Sequence, residues 1–253
     1  MRMKLILDIG NSSVNWANEK KSKFISQGSF VYDKKNFENS LEENIVLTKN
    51  ITTILVSNVA GQEIFTSLDS WAKEHGCLKL WQPVVDEKFK GLNTNIYQTQ
   101  DIGVDRWLSM VACWEMHQSS LCVVNCGTAL TIDLINVERG VGNHLGGYIL
   151  PGVDLLQSTL IKNTKNIDFS INSFPSIEYP SDTKTAVNNG AFLALVSSID
   201  RVVNGFKKDS GRLPKCIISG GNAKLIESLL EHKFEYIPNL VLHGLLITHN
   251  TSI

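Results

Sequence analysis

Residues 4–17 read KLILDIGNSSVNWA, and this stretch decides the fold assignment. The apolar residues 5–7 predict a buried strand that ends in the carboxylate of Asp8. Residues 9–13 are typical of a tight polar turn, and the alternating residues 14–17 predict a second strand. The stretch therefore predicts a β-hairpin with an acidic side chain at the end of its first strand.

The same pattern returns near the middle of the chain. Residues 121–134 read LCVVNCGTALTIDL, with Asn125 in the position of Asp8, 117 residues further on. In both copies an apolar strand is followed by a polar residue, any residue, a glycine and a small hydroxyl or amide residue. Because the copies begin the two halves of the chain, an internal duplication explains them better than chance.

The rest of the chain alternates strand and helix patterns. Residues 54–56 predict a buried strand, while residues 64–72 and 107–112 have the apolar spacing of helices. A longer helix is expected from about residue 183 to 203, after a Ser-, Asn- and Pro-rich loop at residues 163–182. The order of these patterns predicts an α/β protein.

Length and composition limit the class of protein. The 253 residues are 43% hydrophobic, which suffices for a sizeable core, and we expect two domains, at residues 1–116 and 117–253. The net charge of −1 provides no basic field for nucleic acid, so no nucleic acid partner is predicted. We find no apolar run long enough for a signal peptide or a membrane span, and we expect a cytoplasmic protein without a membrane partner.

The cysteines and most histidines show no pattern of a metal site. The five cysteines are irregularly spaced and match neither a zinc site nor a disulfide framework: Cys77, Cys113, Cys122, Cys126 and Cys216. We predict reduced, buried thiols. Five histidines are predicted to be ordinary surface or core residues: His75, His117, His144, His232 and His249.

The first hairpin has the composition of a phosphate-binding turn. Gly10 has no Cβ, so the backbone can approach a phosphate closely, and the amide and hydroxyl groups that follow can bind its oxygens. Asp8 is placed to hold Mg²⁺, usually through water. An ordinary hairpin is the alternative, since Gly-Asn is a common turn. The chain has neither GxxxxGKS/T nor GxGxxG, which disfavours a Walker or a Rossmann nucleotide site.

Two later segments extend the pattern of a nucleotide site. Residues 125–128 (NCGT) form a second turn of the same build, and residues 219–221 (SGG) form a paired-glycine turn after an apolar run. Two phosphate hairpins followed by such a turn are typical of the nucleotide cleft of actin-like ATPases and sugar kinases. Three elements in this order are more specific than any one of them.

Two further segments carry groups suited to a substrate. In residues 103–106 (GVDR), Asp105 could accept the proton of an alcohol, and Arg106 could bind a carboxylate or phosphate through two hydrogen bonds. The alternative is a helix N-cap aspartate beside a solvated arginine. Residues 146–152 (GGYILPG) predict either a tight strand close to another backbone or a ligand, or a structural turn before a helix.

Taken in order, these segments resemble type III pantothenate kinases over nearly the whole chain. That family carries the motifs DxGN(S/T), GxDR, DxGTAxTxD, GGxIxPG, TxxAIxxG and TGG. They correspond here to residues 8–12, 103–106, 125–133, 146–152, 183–190 and 219–221. The C-terminal residues 239–245 (NLVLHGL) are also similar to the family's ending.

The resemblance implies an α/β fold of two duplicated ribonuclease H-like (actin-like ATPase) domains with a nucleotide cleft between them. It implies the ATP-dependent phosphorylation of pantothenate to 4′-phosphopantothenate, the first step of coenzyme A biosynthesis. It further implies Mg²⁺, a monovalent cation such as K⁺ or NH₄⁺, and a homodimer whose active site is completed at the interface.

The resemblance also implies roles for individual residues. Asp105 would be the general base, Asp8 would hold Mg²⁺ through water, and Thr128 would contact ATP. The ATP phosphates would be bound by Asp8, Ile9, Gly10, Asn11, Ser12, Ser13, Val14 and Asn15. Pantothenate would be contacted by Tyr97, Gly103, Val104, Asp105, Arg106 and Thr183.

Three features depart from the family pattern. The family's ligand to the monovalent cation is an aspartate, and Asn125 stands in its place, which predicts weak or absent activation by K⁺. The segment from Tyr97 to Gly103 is one residue shorter than usual and lacks a proline, and His243 stands where the family usually has an acid. Asp133, by contrast, matches the closing aspartate of the hairpin motif, where a metal contact and a purely structural role are both open.

Two other functions remain compatible with the sequence. One is a catalytically weakened, nucleotide-binding regulatory or accessory protein of the same fold, which the change at Asn125 would suit. The other is a kinase of another small alcohol, for example a sugar. The presence of Asp8, Asp105 and Thr128 argues against the first, and the lack of a long insertion argues against a sugar kinase.

Overall fold

The structure is a computed structural model, and it describes residues 3–48, 50–76, 79–94, 101–163 and 174–252. These residues form twelve strands and seven α-helices, with one short 3-10 helix at Lys34–Asn36. The strands are β1 (Met3–Ile9), β2 (Ser13–Lys20), β3 (Lys23–Val31), β4 (Ile51–Asn58), β5 (Leu80–Trp81), β6 (Lys88–Phe89), β7 (Leu92–Asn93), β8 (Leu121–Cys126), β9 (Ala129–Glu138), β10 (Val141–Pro151), β11 (Lys215–Ser219) and β12 (Glu235–Tyr236). The helices are α1 (Phe37–Asn44), α2 (Gln62–Glu74), α3 (Val104–His117), α4 (Val153–Asn163), α5 (Thr183–Ser210), α6 (Ala223–Glu227) and α7 (Leu240–Thr251).

The chain divides into two compact units. The first contains the described residues within 3–89, 101–112 and 239–252, and the second contains those within 90–94 and 113–238. The division expected from the sequence cuts the chain once, after residue 116, whereas these units are discontinuous. The C-terminal segment belongs to the first unit because helix α7 packs on β1 and β4 of that unit.

A five-stranded sheet lies in the first unit, with the order β3-β2-β1-β4-β5. β1 pairs antiparallel with β2 through the predicted hairpin and parallel with β4 on its other side. Leu5 and Ile9 of β1 are fully buried in one core cluster with Ile54 and Val56 of β4. Burial of each such side chain stabilises the fold by about 1.5–3 kcal/mol, which fixes the register of β1 and the position of Asp8 near its end.

The second unit repeats this arrangement. Its strands include the order β10-β9-β8-β11-β12, in which β8 pairs antiparallel with β9 and parallel with β11. This is the order of the first sheet, with β8 in the place of β1 and β11 in the place of β4. Asp8 is paired with Ser57 across the first parallel pair, and Asn125 is paired with Ser219 at the corresponding place in the second. The predicted duplication is therefore confirmed.

The long helix α5 begins at the predicted residue and ends later than predicted, at Ser210. Asp182 caps its N-terminus through a hydrogen bond from the backbone N–H of Thr185, whose side chain completes a capping box. Gly211 ends the helix in the left-handed conformation, with φ of 74°. The apolar stripe continues through the buried Phe206, beyond the predicted end near residue 203.

The C-terminal helix α7 approaches α3 closely at Gly244. A Cβ at this position would lie 2.2 Å from the backbone carbonyl oxygen of Leu108, so the approach requires glycine. Leu108 lies one turn after Asp105 on α3. The contact thus supports the helix that carries the predicted catalytic residue.

Most other predicted elements are confirmed. The predicted strand at residues 54–56 lies within β4, and the predicted helices at residues 64–72 and 107–112 lie within α2 and α3. Residues 174–182 of the predicted loop are irregular, and most of its remainder lies outside the described residues.

The described cysteines are buried and free, as predicted: Cys113, Cys122, Cys126 and Cys216. Burial raises the pKa of the Cys126 thiol to about 12, which keeps it protonated and unreactive near neutral pH. Cys77 lies outside the described residues. In the described part of the chain, no α-helix combines the length and the hydrophobicity that a membrane span requires.

Candidate active site

Asp8 lies near the end of β1 between two polar neighbours. Its Cα is paired with that of Asn15 on β2 and with that of Ser57 on β4. The side-chain amide of Asn15 donates a hydrogen bond of 3.4 Å to Oδ2 of Asp8, and the Ser57 side chain is fully buried. Because the buried strands fix these three positions, the half-buried carboxylate is held beside the hairpin turn.

The turn between β1 and β2 presents polar groups to solvent. The N–H of Gly10 donates to the carbonyl oxygen of Ser13 at 3.0 Å, and the hydroxyl of Tyr32 donates to the carbonyl oxygen of Gly10 at 2.6 Å. These bonds close the turn, and the side chains of Asn11 and Ser12 are exposed. Exposed amide and hydroxyl donors in a turn suit the oxygens of a phosphate.

The surroundings of Asp8 raise its pKa from 3.8 to about 7. Burial is the largest cause and the negative charge of Asp105 is the second, while the side chains of Ser57 and Asn15 act in the opposite direction. A bound cation would compensate both the burial and the repulsion of the charged form. The residues around Asp8 therefore fit a divalent cation.

Asp105 lies in the first turn of α3, in the same unit as Asp8. Its Oδ1 accepts a hydrogen bond of 2.8 Å from the backbone N–H of Arg106. A Cβ at Gly103 would lie 2.6 Å from the same Oδ1, so a larger residue there would displace the carboxylate. Arg106 is only 6% exposed, and the alternative of a solvated arginine is therefore wrong. Val104, between Gly103 and Asp105, is the first residue of α3.

The second hairpin is approached closely by two glycines from other segments. A Cβ at Gly152 would lie 2.3 Å from the carbonyl oxygen of Gly127, and a Cβ at Gly220 would lie 2.5 Å from that of Cys126. Gly220 also has φ of 102°, which favours glycine. The predicted GGYILPG and SGG segments thus pack on the backbone of the hairpin, while Thr128 at its tip is exposed.

Asn125 and Asp133 occupy different environments in the second hairpin. Asn125 lies near the end of β8, partly exposed, in the position that Asp8 has on β1. Asp133 lies within β9, fully buried, with its Oδ1 2.9 Å from Nε2 of His144 on β10. This buried pair joins the two strands, which favours the structural role of Asp133 over a metal contact.

Of the two remaining predicted site residues, the structure describes Thr183 but not Tyr97. Thr183 is the first residue of α5 and is exposed, next to the capping residue Asp182. Its role toward pantothenate stays a prediction. Tyr97 lies outside the described residues, so its predicted role is also a prediction.

Two residues that shape the first hairpin were not predicted from the sequence. Ser57 directly follows the predicted strand at residues 54–56, and the polar residue after that strand was the signal that could have found it. Tyr32 lies 22 residues from its partner Gly10. It reaches the turn only through the register of β3 on β2, which no local pattern reveals.

The neighbours of His243 and His232 indicate structural roles for both residues. The ring of His243 lies 4.7 Å from that of Phe24, centroid to centroid, and burial lowers its pKa, which indicates a packing role. His232 belongs, with Asp200 and Glu231, to the one group of three potential metal ligands found among the described residues. Because the Asp200 carboxylate accepts a hydrogen bond of 3.3 Å from the backbone N–H of Glu231, loop capping accounts for its place in the group.

Comparison with known proteins gives the same assignment as the motifs. The family model for type III pantothenate kinase matches residues 4–205. A type III pantothenate kinase from Nitrosococcus oceani is 31% identical over 255 residues, covering 96% of this chain and 92% of the relative.

Two solved structures share the fold at low sequence identity. A Baf family protein from Campylobacter jejuni is 21% identical with a TM-score of 0.61, covering 98% of this chain and all of the other. MreB5 of Spiroplasma citri, bound to AMPPNP, is 11% identical with a TM-score of 0.52, covering 100% of this chain and 97% of the other. The likeness to these structures shows the actin-like ATPase fold. The sequence match goes further, and the chain belongs to the type III pantothenate kinase family.

Proposed function

We propose that this chain transfers the γ-phosphoryl group of ATP to the 4′-hydroxyl of pantothenate, the first step of coenzyme A biosynthesis. The observation that carries the proposal is the pair of carboxylates in the first unit, Asp8 beside the hairpin turn and Asp105 in the first turn of α3. Burial, and after it the negative charge of Asp105, raises the pKa of Asp8. Phosphoryl transfer to an alcohol uses one carboxylate to hold the metal and another to accept the proton. Membership of the family supports pantothenate as the alcohol.

Asp105 acts as the general base in this proposal. Its carboxylate accepts the proton of the 4′-hydroxyl as the hydroxyl oxygen bonds to the γ-phosphorus and the bond to the leaving ADP breaks. The backbone N–H of Arg106 orients this carboxylate, and Gly103 leaves room for it. Pantothenate is bound by Gly103, Val104 and Arg106. The guanidinium of Arg106 binds the carboxylate of pantothenate.

The first hairpin binds the phosphates and the metal. Asp8 holds Mg²⁺ through water, and residues 9–15 supply amide and hydroxyl donors to the phosphate oxygens. When bound, Mg²⁺ neutralises the charge that develops on the transferred group. Thr128 contacts ATP from the second hairpin, Thr183 contacts pantothenate, and a monovalent cation takes the position beside Asn125.

The proposal also includes a cytoplasmic homodimer. Strand β10 exposes the apolar side chains of Leu145 and Tyr148, at 54% and 57%, and both line the same open pocket as Leu134. Exposed apolar side chains on one strand are typical of a surface that a partner covers. Light scattering on the purified protein should give about twice the 28.1 kDa mass of the chain, and a monomer at micromolar concentration would contradict this part.

A direct assay tests the activity. The purified protein is incubated with Mg-ATP and pantothenate in parallel K⁺, NH₄⁺ and Na⁺ buffers, and the products are measured by mass spectrometry. We expect 4′-phosphopantothenate and an equal amount of ADP. If folded protein forms no product in any of the three buffers, this chain is not a pantothenate kinase.

A further inference from the structure

Lys34 lies beside the phosphate hairpin of the first unit. Its Nζ donates a hydrogen bond of 3.2 Å to Oδ1 of Asn11, within the turn between β1 and β2. The side chain is otherwise exposed at the start of the short 3-10 helix that follows β3. None of the family motifs in the sequence includes this residue.

The backbone around Lys34 is fixed to the same turn. The hydroxyl of Tyr32 donates to the carbonyl oxygen of Gly10 at 2.6 Å, and the N–H of Tyr32 donates to the carbonyl oxygen of Ser12 at 3.4 Å. Asp33 then caps the 3-10 helix by accepting a hydrogen bond of 3.0 Å from the N–H of Lys35. Since the residues on both sides of Lys34 are held, its backbone has a fixed position from which the ammonium group can contact the turn.

The residues of the hairpin turn themselves lack a positive charge that could bind a phosphate. Residues 8–15 contain the carboxylate of Asp8 and neither Lys nor Arg, so the donors of the stretch are neutral amides and hydroxyls. The triphosphate that this stretch is proposed to bind is strongly anionic. A lysine held within hydrogen-bond distance of the turn supplies the positive charge that the stretch itself lacks.

We propose that Lys34 binds a terminal phosphate of the nucleotide, exchanging its hydrogen bond to the neutral amide oxygen of Asn11 for one to an anionic phosphate oxygen. The inference rests on the proposed function, since it adds a phosphate ligand to that same site. An ammonium on a flexible stem can make this exchange without a backbone change. Lys35 is the natural comparison, because it is adjacent, basic and exposed, and its described contact is a backbone cap.

The test compares nucleotide binding in wild type, Lys34→Gln, Lys34→Arg and the control Lys35→Gln. Calorimetry measures the Kd of AMPPNP with Mg²⁺ and the Kd of adenosine, which has no phosphate. We expect Lys34→Gln to raise the Kd of AMPPNP about five- to tenfold and to leave that of adenosine unchanged. Lys34→Arg should restore most of the affinity, and Lys35→Gln should match wild type. Thermal melts check that every variant is folded.

The outcomes separate this inference from the proposed function. If wild type phosphorylates pantothenate but Lys34→Gln binds AMPPNP as tightly as wild type does, the role of Lys34 is wrong and the kinase stands. Equal losses for AMPPNP and adenosine, or for Lys34→Gln and Lys35→Gln, would also overturn it, because they indicate a general effect. If wild type binds no nucleotide, the proposed function itself fails.

Discussion

Asp8, near the end of β1, has a pKa raised by burial and, after burial, by the negative charge of Asp105 in the first turn of α3. The two carboxylates come from distant parts of the chain, and the packing of the first unit brings them within electrostatic reach. Burial raises the pKa of Asp8 further than Asp105 does, so the charged form of Asp8 is disfavoured for two separate reasons. Each carboxylate can therefore be tested through its effect on the other as well as through activity.

Replacing Asp105 by asparagine should remove the general base. We expect kcat to fall about 10²- to 10⁴-fold, the usual range for an acid–base group, because the amide cannot accept the hydroxyl proton. The measurement is a steady-state assay of ADP formation with pantothenate. Asp101→Asn is the matched control, since Asp101 is an exposed carboxylate four residues upstream, and it should retain wild-type activity. Near-full activity of Asp105→Asn would remove Asp105 from the mechanism.

The same variant should lower the pKa of Asp8 in the metal-free protein. Loss of the Asp105 charge removes the second cause of the shift and leaves burial, so we expect a value below about 7 but above 3.8. Carbon-detected NMR of the Asp8 carboxyl group against pH measures this directly. Asp101→Asn should leave the titration unchanged, and an unshifted Asp8 in Asp105→Asn would show that the two groups do not interact.

The raised pKa of Asp8 also predicts a change of stability with pH. The pKa of Asp8 is about 7 in the folded state, and its ordinary value is 3.8. Asp8 therefore contributes fully to the free energy of unfolding below pH 3.8, and this contribution is lost as the pH rises through 7. The loss is at most about 4–5 kcal/mol, from about 1.4 kcal/mol for each pKa unit. Asp8→Asn removes this dependence, so the variant should gain in free energy of unfolding relative to wild type between pH 4 and pH 8. Urea titrations in EDTA measure this difference in free energy of unfolding. A difference of the same size at all pH values would contradict the prediction.

The sequence predicts the positions in the site that are set locally. The turn around Gly10 and the start of α3 follow from the residues themselves, because a glycine beside polar residues and a helix start are short-range patterns. The internal repeat also predicted that Asn125 occupies the place of Asp8, and the two sheet orders confirm it.

Contacts that depend on packing could not be predicted in this way. The register of β3 on β2 brings Tyr32 to Gly10, and the fold of the second unit brings Gly152 and Gly220 onto the second hairpin. The packing of α7 on the first unit was not predicted for the same reason, since the absence of a Cβ at Gly244 matters only where α3 lies against it. Such contacts join residues far apart in the chain, and no local spacing encodes them.

Gly220 should be intolerant of a side chain, and its neighbour offers the control. A Cβ at Gly220 would lie 2.5 Å from the carbonyl oxygen of Cys126, and φ is 102°, so alanine must displace the hairpin or strain the backbone. We expect Gly220→Ala to lower the free energy of unfolding by about 1–3 kcal/mol and to raise the KM for ATP. At Gly221 a Cβ would meet nothing within 4 Å, and Gly221→Ala should behave as wild type in thermal melts. Equal behaviour of the two variants would contradict the close packing of this turn on the hairpin.

Asn125 should set the response of the enzyme to monovalent cations. It occupies the position of Asp8 in the second unit, where an amide oxygen can coordinate a cation but supplies no net charge. A carboxylate about 2.8 Å from K⁺ attracts it by roughly 6 kcal/mol at an effective dielectric constant of about 20, before screening by water. We therefore expect weak activation of the wild type by K⁺ and a steeper dependence in Asn125→Asp, measured as initial rates against K⁺ at constant ionic strength. Asn44→Asp adds the same charge at an exposed position on α1 and should leave the dependence weak. If wild type already shows the steep dependence of Asn125→Asp, the amide alone sustains the cation site, and the missing charge has no consequence.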